Sequence, residues 1–357
     1  MDHVAIDLGG RESQICVRRE DGEIIEELRY ATRDLPAWLG RRPKSRVIVE
    51  TSAEAFGVAD AAVAAGHEVR IVPAHLVRTL GVGARGIKTD KRDARALSEV
   101  SCRIDLPSVH LPTQLSRHYK ALCGARDTLV ETRTKCINGV HSWMRTQLTT
   151  VRSGQSKRFP DRVRDKFLKE PSGMPRFIDG QLEVIEAMNE QIAIYDKEIE
   201  DAAKRDEVCK RLMTVPGVGP ITSLRFRAAL DDIARFHGAH AVGAYLGLTP
   251  GEDSSSLRVR RTRLTKAGPP QVRRVLVQAS WTLIRTRPKD PIVQWANAVA
   301  DRRGHRVAVV ALARKLAGVL YAIWRDGSNY EPDHARMLPA SDAVKDELAP
   351  LVGSAAP

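Results

Sequence analysis

Residues 88 to 97, "KTDKRDARAL", set Asp90 and Asp93 three positions apart among lysines and arginines. On a helix, positions i and i+3 share a face with side chains about 5 to 6 Å apart, so both carboxylates point the same way. Like charges that close repel unless a cation joins them. Two further acids end apolar runs: Asp7 in "VAIDLGG" and Glu50 closing "RVIVE". Each has a plainer use. Asp90 could cap a helix after Thr89, Asp93 could pair with Lys91 or Arg92, and Glu50 could cap the helix that follows it. Asp7 resists such an account, because a carboxylate in a buried strand needs a partner. Four converging carboxylates suit Mg²⁺, which takes hard oxygen ligands from a few acids plus substrate phosphates. Two such ions about 3.5 to 4 Å apart stabilise both the attacking and the leaving oxygen of a phosphoryl transfer.

A second constellation is "GLTPGEDSSSLRVRRTRLTKAGPPQVRR", residues 247 to 274. Three serines precede Arg258, Arg260, Arg261, Arg263 and Lys266, with Arg273 and Arg274 further on. It reads as a polar loop with a basic, phosphate-binding flank. It also reads as a nucleophile site, since guanidinium groups can orient a phosphodiester and stabilise the charge that develops as a serine attacks. Upstream, "LMTVPGVGPITSLRFRAAL" places a glycine-rich bend between two apolar helical stretches, in the manner of a helix-hairpin-helix. Gly217 and Gly219 there would let backbone amides approach a phosphate; an ordinary helix connection is the alternative.

The elements that must position these groups follow from periodicity. "VAIDLGG", "SQICVRRE" and "EIIEELRY" read as three strands of an antiparallel meander, "RVIVE" as a fourth and "HEVRIVP" as a fifth. "AFGVADAAVAAG" and "KRDARALSEVSCR" read as helices. The order βββαβαβα suits a ribonuclease H-like or RuvC-like mixed sheet, whose first and fourth strands are neighbours. From Leu115 to Leu148 the pattern turns to heptads, with Leu122, Leu129, Cys136 and Trp143 in one seam; Ile185, Ile192, Ile199 and Met188, Tyr195, Ala202, Cys209 form two more. That is the spacing of a coiled coil. The expected domains are residues 1–110 (the acid-bearing α/β domain), 111–210 (coiled-coil helices around a polar connector, 152–178), 211–330 (mainly helical, with the serine motif) and a tail, 331–357.

A length of 357 residues with 43% hydrophobic content allows roughly two or three domains. The net charge of +13 points to a polyanionic partner, with nucleic acid favoured over a membrane surface. No run approaches the ~18 consecutive apolar residues of a span, and "MDHVAIDLGG" lacks the pattern of a signal peptide, so a cytoplasmic protein is expected. The five cysteines form no CxxC pair and their odd count fits free thiols; the ten histidines show no zinc spacing.

In this order, "AIDLGG", "VIVETSA", "KTDKRDA", "TVPGVGPITS" and "GLTPGED-SSS-LRVRRTRLTKAG" resemble the DEDD transposases of bacterial insertion sequences, the bridge-RNA-guided recombinases, over about residues 1 to 325. The resemblance implies a RuvC-like domain bearing Asp7, Glu50, Asp90 and Asp93, a coiled-coil middle, and a transposase domain with a serine nucleophile. It implies Mg²⁺, donor and target DNA, a structured RNA from the noncoding end of the element, and a dimer that assembles to a tetramer on DNA, the acids of one subunit meeting the serine of another. Counting five residues from Pro250, the family's serine falls on Ser255. Where relatives carry a following glycine this chain has Ser256, so Ser254 and Ser256 stay open. The sequence "DLGGRE" departs from relatives that carry a lysine nearby. Two other functions explain part of the pattern: a RuvC-like nuclease using water, which needs no serine, and a basic nucleic-acid-binding scaffold, which needs no metal.

Overall fold

A computed structural model of the chain describes residues 1–79, 90–168, 173–255 and 258–332. It divides into two compact units, Met1–Thr113 and Gln114–Pro357.

The first unit contains β1 (His3–Asp7), β2 (Glu12–Arg18), β3 (Ile24–Ala31), α1 (Leu35–Leu39), β4 (Arg46–Glu50), α2 (Ala55–Ala64), β5 (Glu68–Val72), α3 (Ala74–Thr79) and α4 (Asp90–Arg103). The strands form one mixed sheet in the order β3-β2-β1-β4-β5, β1 running antiparallel to β2 and parallel to β4. The expected neighbours, first and fourth strands, lie side by side, and two helices rather than one follow β5. Val4, Ala5, Ile6, Val47, Ile48 and Val49 are fully buried, as central strands covered on both faces require. Alternation splits them. Val4, Ile6, Val47 and Val49 pack with Leu35, Leu39, Ala55 and Ala59, whereas Ala5, Ile48 and Val72 pack with Leu97 of α4.

On that second face, Glu27 of β3 accepts from both Arg95 and Lys91 of α4, and the guanidinium draws its carboxyl from the ordinary 4.5 down to about 2. A carboxyl whose pKa is lower in the folded chain stabilises the fold fully above its unfolded pKa and loses that contribution as pH falls towards the folded value. Stability of the first unit should therefore drop between about pH 4.5 and 2. In Glu27→Gln, denaturant midpoints measured across that window should fall less steeply than those of wild type.

The second unit contains α5 (Gln114–Thr146), α6 (Phe159–Phe167), α7 (Arg176–Arg205), α8 (Glu207–Leu212), α9 (Pro220–Leu230), α10 (Ala239–Tyr245), β6 (Pro250–Ser255), β7 (Arg258–Leu264), α11 (Pro270–Thr286), α12 (Pro291–Arg303) and α13 (His305–Asp326). Much of the heptad pattern is spent within the chain: Ile185 and Met188 of α7 are buried with Val140 and Met144 of α5, and Ile199 with Leu122. Residues 152–178, expected as a connector, contain α6. Its Phe159 and Val163, one turn apart, are buried in the same cluster, and Arg164 pairs with Glu186 of α7. Charged residues between those apolar positions hide the stripe from a reading by composition.

Helix α13 is long and apolar enough to cross a membrane by length and composition, yet 61% of that window is buried in the protein. Its Leu316 and Leu320 pack with Phe226 and Leu276 as a core helix. All five cysteines are free thiols. The expected tail lies outside the described residues beyond residue 332.

Candidate active site

Within the first unit, the parallel register pairs Ile6 with Val49, so Asp7 and Glu50, the next residue of each strand, end neighbouring strands at one edge of the sheet. Adjacent strands lie about 4.8 Å apart. Both acids share the parity of Ala5 and Ile48, and thus face α4 rather than α2. Both are half-buried.

Helix α4 then brings the third acid to the same level. Ser101 Oγ is 2.8 Å from His3 Nδ1, and Ser98 Oγ lies 3.3 Å from Cys16 Sγ, the partner of Ala5 across the β1–β2 ladder. The helix therefore runs antiparallel to β1. Asp93 lies eight residues before Ser101, about 12 Å along the helix; Asp7 lies four residues after His3, about 13 Å along the strand. The two distances match, which puts Asp93 at about the level of Asp7 along the sheet. Asp93 is 3% exposed and stands one turn before the core residue Leu97. Asp90 is the first residue of α4, one turn earlier; its side chain lies outside the described residues.

The backbone that follows each strand acid is tied down. Thr32 Oγ1 donates to Gly9 O at 2.6 Å and meets Ser13 Oγ at 2.7 Å, which secures the loop after Asp7. A Cβ on Gly9 would lie 2.3 Å from Glu12 O, so only glycine makes this tight return. After Glu50, Thr51 N donates to Val72 O and Thr51 Oγ1 accepts from Ala74 N. Among the described residues no three acids, histidines or cysteines are grouped closely enough to hold a metal ion. Asp7, Glu50 and Asp93 are all carboxylates, oxygen donors that would suit a hard divalent cation better than zinc.

Within the second unit, the serine motif is an antiparallel hairpin of β6 and β7. Asp253 pairs with Arg260, Ser254 with Val259 and Ser255 with Arg258, so Ser254 and Ser255 close β6 opposite the start of β7. Ser256 lies outside the described residues, as do the side chains of Ser254, Ser255, Arg258, Arg260 and Arg261. Arg263 and Lys266 are exposed. A reading of the motif as a loop misses this hairpin because serine and arginine interrupt the apolar residues of "SSSLRVRRTRL" on both faces.

The hairpin's base is a tight backbone crossing. Gly247 has φ +66, and a Cβ on it would lie 2.7 Å from Ala267 N; a Cβ on Gly268 would lie 1.9 Å from Tyr245 O. Arg273 locks the crossing, its Nη1 donating to Leu246 O at 3.0 Å and Gly268 O at 2.7 Å. Arg274 reaches back to α5, pairing with Asp127 and Glu131. These two arginines, expected at phosphates, also make contacts within the chain. The glycine-rich bend divides similarly. Gly217, at φ +86, lets the turn pass α11, where a Cβ would meet Ala279 O at 2.7 Å. Gly219 caps α9 with open space beside it.

A 3-2-1-4-5 sheet with carboxylates ending its first and fourth strands and a third on the crossing helix defines the first unit as a ribonuclease H-like domain of the DEDD transposase type. Comparison with known proteins makes the assignment specific. Residues 4–148 match the IS110 DEDD transposase family and residues 209–292 match the transposase IS116/IS110/IS902 family. The chain belongs to this family of insertion-sequence transposases, enzymes that cleave and recombine DNA. It is 31% identical over 242 residues to the transposase for insertion sequence element IS1111A of Coxiella burnetii, covering 66% of each chain. It is 26% identical over 332 residues to the transposase for IS1328 of Yersinia enterocolitica, covering 91% of this chain and 97% of that one. A probable family 20 transposase of Pseudomonas aeruginosa is 26% identical over 277 residues, 75% of this chain and 80% of the relative.

Proposed function

We propose that this transposase cuts and rejoins DNA through a phosphoserine intermediate at Ser255, with Asp7, Glu50, Asp90 and Asp93 holding Mg²⁺. The observation that supports the reading is the β1–β4 register, which ends Asp7 and Glu50 on neighbouring strands, with Asp93 buried on the helix packed against that face. Mg²⁺ bound there supplies Lewis-acid stabilisation of charge on the scissile phosphate. Ser255 Oγ loses its proton and bonds to phosphorus as the P–O3′ bond breaks, and the departing oxygen takes up a proton to become a 3′ hydroxyl. A 3′ hydroxyl from the other duplex then attacks the phosphoserine, remaking a P–O3′ bond and restoring the serine hydroxyl. One phosphodiester is exchanged for another, so no outside energy source is needed.

Arg258, Arg260, Arg261, Arg263 and Lys266 orient the phosphate from the hairpin, and the bend ending at Gly219 meets backbone phosphate as a helix-hairpin-helix would. The substrates are donor and target DNA, and the guide is a bridge RNA from the element's noncoding end. The domains are residues 1–110, 111–210 and 211–330 with a tail. Coiled-coil contacts through the faces of the middle helices that are not spent within the chain join two copies into a dimer that becomes a tetramer on DNA, so that acids and serine meet between subunits, in the cytoplasm at the nucleoid.

The test combines protein, RNA transcribed from the flanking noncoding DNA, Mg²⁺ and end-labelled duplexes on a denaturing gel. Wild type should yield a protein-linked, protease-sensitive label that Ser255→Ala and Asp90→Asn both lack. Cleavage by Ser255→Ala at the wild-type rate, with no linked label in any sample, would mean that water is the nucleophile.

A further inference from the structure

We propose that the exposed face of α11 is a platform for single-stranded nucleic acid, an unpaired base stacking on Trp281 while flanking phosphates meet Arg285, Arg287 and Lys289. The inference rests on the reading of the chain as acting on nucleic acid, and it adds a surface that neither the carboxylates nor the serine hairpin supplies.

The first observation is the treatment of the indoles. Four of the five tryptophans are covered: Trp38 by Arg42, Trp143 by Phe167 and Phe177, Trp295 by Lys315 and Trp324 by Arg227. Trp281 is 43% exposed and has no ring or cation against it among the described residues. An indole left open amid polar and cationic residues offers a face on which a base can stack.

The second observation is what surrounds it. Arg274, Gln278, Trp281 and Arg285 fall at i, i+4, i+7 and i+11, one exposed face of α11 about 16 Å long. At its N-terminal end Arg274 is occupied by Asp127 and Glu131. At its C-terminal end Arg285, Arg287 and Lys289 are exposed and pair with no acid among the described residues. The nearest acid in sequence, Asp290, is taken up by the Tyr330 hydroxyl and by the first turn of α12.

Free cations beside an open indole recognise two things at once, a phosphate backbone and the face of a base. A paired base offers no face, which selects single strands over duplex. An exposed Trp with arginines also suits a protein interface. The cationic rim, with its acids already engaged, favours the polyanion.

Binding of a short labelled single strand, as DNA and as RNA, to the full-length protein would be followed by anisotropy and by quenching of tryptophan fluorescence. Trp281→Ala should weaken single-strand binding about tenfold and remove most of the quench, Trp281→Phe should retain most of the affinity, and duplex binding should be unchanged. Charge reversal in Arg285→Glu combined with Lys289→Glu should lower the slope of affinity against salt. Single-strand affinity and quenching that survive Trp281→Ala, Trp281→Phe and the charge reversal alike would overturn the platform. So would a change in oligomeric mass by light scattering with single-strand affinity intact, which would assign the face to a protein partner. Loss of the serine adduct leaves this readout untouched, so the two proposals fail separately.

Discussion

Asp93→Asn should cut DNA strand cleavage about a thousandfold while the protein stays folded, the size of effect expected when a group stabilising transition-state charge is removed. The substitution preserves shape and removes one negative charge from the middle of the proposed carboxylate set. Asp93 is 3% exposed on the helix that packs against the sheet, so its replacement acts inside the first unit and not on a solvated helix face. Two measurements separate a metal-holding acid from a structural one. Mg²⁺ should raise the melting temperature of wild type and raise that of Asp93→Asn much less, because a ligand stabilises only as far as it binds. Single-turnover cleavage, measured per folded molecule, should then show the loss. A variant that melts early and yet cleaves at the wild-type rate would make Asp93 a core polar residue and remove it from the chemistry.

Gly268→Ala should destabilise the second unit by about 3 to 5 kcal/mol, lowering its melting temperature by roughly 10 °C. The added methyl would lie 1.9 Å from Tyr245 O, deep inside van der Waals contact, with main chain on the other side rather than a flexible side chain. Relief requires the segments Tyr245–Leu248 and Lys266–Gly268 to part. That breaks the Arg273 contacts to Leu246 O and Gly268 O and tilts the hairpin whose tip carries Ser255. Even a fraction that remains folded should therefore give less serine-linked DNA. Gly180→Ala is the control: in α7 with nothing within 4 Å of its Cβ, it should stabilise by about 0.5 to 1 kcal/mol, as removing glycine from a helix interior does. Equal melting temperatures for the two variants would show that the crossing is slack.

Much of the first unit is legible in the amino-acid sequence alone. Apolar runs such as "VAID" and "RVIVE" have the composition of central strands, and an acid closing each run has few uses inside a sheet. The heptads of α5 and α7 are equally plain. What they pack against is not, since a seam looks the same whether its partner is another copy or, as for Ile185 and Ile199, the same chain. The α6 segment escapes a reading by pattern because its few apolar residues are diluted by charge, and only burial of Phe159 and Val163 gives them weight.

The serine motif shows where reading by type ends. Arg258 and Arg273 are chemically identical, yet one pairs across from Ser255 at the hairpin tip while the other spends its guanidinium on two carbonyls at the base. Sequence determined which residue types were present, the order of the five strands of the first unit, and the positive balance that calls for a nucleic-acid partner. Tertiary structure alone decided that Asp7 and Glu50 end adjacent strands, that Asp93 is buried on the helix packed against that sheet, and that Trp281 is left uncovered. The physical reason is that helix and strand periods are local and written in neighbouring residues. Strand register, the level of a helix over a sheet and the cover of a side chain depend on contacts between residues far apart in the chain, for which no local spacing carries a signal.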